Sequence, residues 1–206
     1  MGTYQNSLEA VENEMKGTVD ALYSAYLGKL EDNRQFLPDL KAKRDHEATS
    51  EYIAASTAAK ERCLAKEAPL FADLRRDVEK ALAAAPSQGQ LAYLQTLSLR
   101  STLTESDIVT AAVAVAGNAA AEANVAELAK REGIISAKVT APPALPALLA
   151  SIDKWEETRQ QRVINYRTVQ QDGQVSGEPE FGFIPGGGWS KTMEEAEGAI
   201  ERYGAK

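Results

Sequence analysis

Apolar residues recur at helical spacing along most of this chain. From about Tyr4 to Arg34 they fall at Leu8, Val11, Met15, Val19, Leu22, Tyr26 and Leu30. The mean step is about 3.67 residues, nearer an eleven-residue repeat than a heptad, and predicts a nearly straight amphipathic helix with one packing seam. Glu12 and Lys16 make an i,i+4 pair expected on its outer face. Phe36-Leu37-Pro38-Asp39 breaks the pattern, because proline disfavours helical geometry in the residue before it and can itself open a new helix. A second helical pattern then runs from Asp39 towards Ala85. Its first half is polar or alanine apart from Tyr52 and Ile53; its second half sets Leu64, Ala68, Phe71, Leu74, Val78 and Leu82 on one face. Pro69 lies inside that pattern and predicts a kink or the first turn of a new helix. Residues 1–85 thus read as long amphipathic helices, paired as a hairpin within the chain or as a coiled coil between chains. The stripe from Leu8 to Leu30 is the candidate self-association surface.

Ala85-Pro86-Ser87-Gln88-Gly89 reads as a short linker, and residues 87–135 as a module of three short helices. Thr104 followed by Asp107 has the form of a capping box. Asn118 is placed to cap the helix that follows Gly117. Gly133 stands where a left-handed C-terminal cap is expected, with Ile134 folding back on the helix it ends. Pro142, Pro143 and Pro146 then stiffen a connector over residues 136–146. In residues 147–206 a helix with Leu149, Ile152 and Trp155 on one face is expected to run to about Gln170. A hairpin is the alternative there, since Asp172-Gly173 is a strong turn signal. A Gly/Pro-rich segment follows, with Phe181, Phe183, Ile184 and Trp189 interleaved. Thr192 and Glu195 suggest the capping box of a last helix ending at Tyr203-Gly204. The expected fold is all-α.

Charge narrows the range of partners. The net charge is −7 in 206 residues, which opposes a general electrostatic grip on nucleic acid or anionic membrane. No apolar run approaches the roughly 20 residues that span a bilayer, and the first residues lack the pattern of a secretory signal. A single cysteine, Cys63, excludes an internal disulfide and suits a reducing cytoplasm.

Reactive chemistry is hard to assemble from these residues. His46, the sole histidine, sits among Asp45, Glu47 and Glu51 without a second ligand to complete a metal site. Cys63 has Lys60 and Arg62 nearby but no oriented base. Pro185 to Thr192 resembles a phosphate-binding loop in outline, yet Ser190 stands where glycine must precede Lys191. Glu156-Glu157 and Glu194-Glu195 read as helix charge rather than an acid–base pair. The module has a helix–turn–helix flavour, but its third helix carries only Lys130 and Arg131 near its end, beside Glu122, Glu127 and Glu132, which opposes reading of a DNA groove. The sequence therefore assigns no catalytic, cofactor-binding or metal-binding residue. Phe181, Phe183, Ile184 and Trp189 are the candidate partner-binding residues, either pinned onto the protein's own helices or docked on a partner.

The module is similar to helical proteins from the structural-gene regions of tailed bacteriophages and prophages. The likeness is carried by Leu91, Leu94, Leu97 to Arg100, Leu103-Thr104-Glu105, Ile108, Gly117-Asn118, Leu128-Ala129 and Gly133-Ile134. It implies a virion-associated or capsid-assembly role without catalysis, through protein–protein contacts in the host cytoplasm or the virion. The alternative is a small acidic adaptor or inhibitor that binds a host protein.

Overall fold

The computed structural model describes residues 3–136, 138–161, 163–165, 168–169, 175–176, 180–182 and 189–204. Helices dominate: α1 (Thr3–Asn33), α2 (Pro38–Leu82), α3 (Gln88–Ser98), α4 (Glu105–Ala114), α5 (Ala119–Arg131), α6 (Leu145–Gln160) and α7 (Trp189–Tyr203). Four short strands lie between α6 and α7 (β1 Val163–Asn165, β2 Thr168–Val169, β3 Val175–Ser176 and β4 Glu180–Gly182). The chain forms two compact units, one of Thr3–Phe71 with Lys154–Gly187, the other of Ala72–Asp153 with Gly188–Lys206. The linker expected at 85–89 lies inside the second unit and supplies the start of α3.

In the first unit α1 and α2 run antiparallel. Asn33 Nδ2 donates to Asp45 Oδ1 at 2.9 Å near the turn, Lys29 pairs with Glu51, and Lys66 Nζ reaches Glu14 Oε1 at 2.6 Å further along. The helices meet over a tyrosine cluster: Tyr26 and Tyr52 stack with centroids 5.1 Å apart, and Tyr23 lies 5.8 Å from Tyr52. The Thr49 hydroxyl donates to the Asp45 carbonyl at 2.8 Å, so Tyr26 must donate its own proton to Thr49 Oγ1, 3.3 Å away. Within this unit Leu8, Met15, Val19 and Tyr26 are buried and Val11, Leu22 and Leu30 half-buried. The stripe assigned to self-association is thus covered by the chain itself. Each of its buried aliphatic side chains contributes about 1.5–3 kcal/mol by leaving water.

Two further expectations change here. Glu12 is bonded to Lys16 Nζ at 2.8 Å as an i,i+4 pair, but it is buried rather than on the outer face. α2 is continuous through Pro69, and its buried side runs through Ser56, Ala59, Cys63 and Glu67, leaving Leu64 half-buried and Ala68 exposed. A buried charge at 67 hides that register from any reading of apolar spacing.

The second unit contains the three-helix module, and its helix ends are set by local bonds. Ser87 and Gln90 cap α3 reciprocally, Thr104 and Asp107 do the same for α4, and Asn118 Oδ1 accepts the Ala121 N–H at 2.9 Å. Each such cap is worth about 1 kcal/mol. Gly133, at φ +68°, occupies the left-handed position that disfavours a Cβ. There the Ile134 N–H bonds the Ala129 carbonyl and the Gly133 N–H the Lys130 carbonyl, a complete Schellman ending. The three helices enclose Leu94, Leu97, Leu103, Ile108, Val115 and Val125, with Ile134 folded against them. α7 buries Met193, Ala196, Ala199 and Tyr203. It begins at Trp189, so Thr192 is an interior, buried residue and not the N-cap expected of it.

α6 stops at Gln160, ten positions short of the end expected at Gln170. β1 pairs antiparallel with β4, Val163 opposite Gly182, and β2 pairs with β3, Thr168 opposite Ser176. The β-branched Val163, Ile164, Thr168, Val169 and Val175 favour extended backbone over helix. The turn-signal alternative therefore describes these residues better than the helical one.

Candidate functional site

The buried charges of the protein serve as ties between helices. Arg159 Nη2, on α6, reaches Glu67 Oε1 on α2 at 2.5 Å, and Glu12 Oε2 and the Leu8 carbonyl on α1, both at 3.4 Å. All three side chains are almost wholly out of water. In the second unit Glu122, at the start of α5, takes the Gly117 N–H on Oε1 at 2.9 Å. Its Oε2 accepts from Arg202 Nη2 at 2.6 Å and from the Tyr203 hydroxyl at 2.8 Å. Burial, together with the bond to Glu122, pushes the Tyr203 hydroxyl up to about 12. The Thr104 N–H and hydroxyl hold Asp107 below the usual carboxylate range. The roles of Glu12, Glu67, Glu122 and Arg159 as buried ties were not legible from their spacing. Their partners lie far away in sequence, and a solvated helix face carries the same residue types.

His46 is exposed on α2. Cys63 is buried, its Sγ 3.5 Å from Glu67 Oε1. Among the described residues no group of three or more His, Cys, Asp and Glu is arranged to hold a metal ion, and no helix is long and apolar enough to cross a membrane. Of the candidate partner-binding residues, Phe183 and Ile184 lie outside the described residues. For Phe181, in β4, and Trp189, at the start of α7, only the backbone is described.

A different surface comes forward. An open cleft of about 510 Å³ runs between α3 and α5, lined by Leu91, Leu94, Gln95 and Ser98 on one side and Asn124, Glu127, Leu128 and Arg131 on the other. Both sets follow i, i+3, i+4, i+7 spacing, so each helix presents one continuous stripe. Leu91 is 44% exposed, and Leu99, just past the end of α3, is 86% exposed. Val113 and Ile135 in the same module are exposed to 73% and 98%.

The charge pattern around this cleft is unusual for the chain. Charged residues make up 26% of the sequence, yet none lies between Lys80 and Arg100 or between Asp107 and Glu122. The net acidity expected on α5 is also absent from its surface, because Glu122 is buried against Arg202. What remains exposed is balanced, with Lys130 Nζ 3.7 Å from Glu127 and Arg131 Nε 2.9 Å from Glu132. Compared with known proteins, the chain shows no significant match to a family model, a curated protein or a solved structure.

Proposed function

We propose that this chain is a non-enzymatic helical protein of the phage structural type. It works through protein–protein contacts, including self-association, in a virion-associated or capsid-assembly role in the host cytoplasm. The observation that carries the reading is the module's exposed apolar side chains: Leu91 on α3 and Val113 on α4, with Leu99 just past α3 and Ile135 beyond the end of α5. Apolar groups presented in this way favour association, while the buried ionic residues act as structural ties between helices. The likeness of residues 91–135 to phage structural-region proteins supplies the biological setting.

The test is to follow a tagged full-length chain in its host during particle production. Stoichiometric recovery with particles or assembly intermediates supports the role. Recovery with one host protein and no particle component replaces it with an adaptor or inhibitor reading, which the acidic composition favours.

A further inference from the structure

We infer that the α3–α5 face is a two-fold interface through which two copies of this chain associate, an inference that rests on the assembly reading above and names its contact. The face has three properties an occupant must match. It is apolar at the centre, with Leu91, Leu94 and Leu128. α3 contributes no charge to it. α5 contributes one acid and one base, Glu127 and Arg131, a single helical turn apart.

A nucleic acid would find no excess positive charge here, and a strongly charged protein would lose water from its own charges without gaining counter-charges. The same face of a second copy satisfies all three demands. Two open helix pairs brought together complete a four-helix packing, the usual way for two-helix faces to bury their stripes. A two-fold axis makes such a contact self-complementary. With α5 antiparallel to its copy and the axis at the level of Ala129, each Glu127 faces the other copy's Arg131. Their present neighbours are exposed ion pairs of little worth, so exchanging them costs little. Leu91, 44% exposed in one copy, supplies with Leu128 beside it the apolar contact that drives the pairing.

The experiment is sedimentation of the full chain over a concentration series, on wild type, three variants and one mixture of two of them. Wild type should show a reversible dimer. Leu91→Asp, at an exposed position, should weaken it about tenfold or more while leaving the thermal melt of dilute protein unchanged. Glu127→Arg and Arg131→Glu should each weaken it, since like charges then meet across the axis. Mixing those two variants in equal amounts should restore dimerisation, because one copy carries two bases and the other two acids. A dimer that keeps its affinity in Leu91→Asp and in both charge variants overturns this interface and leaves the assembly reading standing on another surface. Wild type that stays monomeric to about 200 μM overturns both the interface and the self-association in that reading.

Discussion

Glu67 and Glu122 are both carboxylates buried between helices, and they are held in different settings. Glu67 lies on a long helix opposite Arg159, with Glu12 on a third helix and the buried Leu8 and Phe71 a turn away along α1 and α2. Glu122 sits at the edge of a compact apolar core whose helices already end in local caps. In the first case the ionic contact adds a charge match, on top of apolar packing, to the level at which α1, α2 and α6 meet. In the second it adds α7 to helices whose own positions are set by packing. A buried ion pair is weak evidence of net stability, because desolvation offsets the attraction, but losing one member leaves a charge with nothing to answer it.

That contrast can be broken most forcefully at Arg159. Arg159→Ala should cost about 3–5 kcal/mol, read by chemical denaturation. Adding Glu67→Leu and Glu12→Leu should recover a large part of that loss; failure to recover would mean that Arg159 acts by packing and not by charge. Ile108→Ala, in the module core, should cost about 2–5 kcal/mol through transfer and cavity terms, with no rescue available from charge changes elsewhere.

The caps give smaller effects. Thr104→Ala should lower stability by about 1 kcal/mol and diminish the acid sensitivity of the module. Asp107 titrates lower in the folded protein than in the unfolded chain. Its stabilisation is therefore present above the ordinary carboxylate pKa and is lost as pH falls through the depressed folded value. Tyr203 behaves oppositely. Its folded pKa is raised, to about 12, so its contribution is complete below the ordinary tyrosine value near 10 and fades as pH rises towards 12. Tyr203→Phe should flatten that alkaline decline in a pH series of thermal melts. The smallest change has the other sign. Ser56 Oγ is fully buried on α2 with no hydrogen-bond partner among the described residues, so Ser56→Ala should be neutral or stabilising by up to about 1 kcal/mol.

The module was legible in the sequence because its information is local. Thr104 with Asp107, Asn118, and Gly133 with Ile134 each act within six residues, and each does in the structure what its position announces. Ser87 with Gln90 has the same form and could have been read the same way. Glu12, Glu67 and Arg159 could not, since a polar residue on a long helix reads as solvent-facing until the helix opposite is known. The stripe from Leu8 to Leu30 was found for the right reason, its period, but periodicity does not say whether the covering partner belongs to the same chain. The face between α3 and α5 escaped notice because its signal is a lack of charge over a stretch, not a motif.

The bonds to Glu122 also impose an order in time. Arg202 lies 80 residues beyond the carboxylate that it pairs with. At a synthesis rate of 5–20 residues per second, roughly 4–16 s separate the two on the ribosome. Helix formation and local collapse take microseconds, so the module can fold in that interval while Glu122 is still solvated. Arg202 and Tyr203 then arrive at a surface that is already built, and α7 closes over the acid as the last act of that unit's assembly.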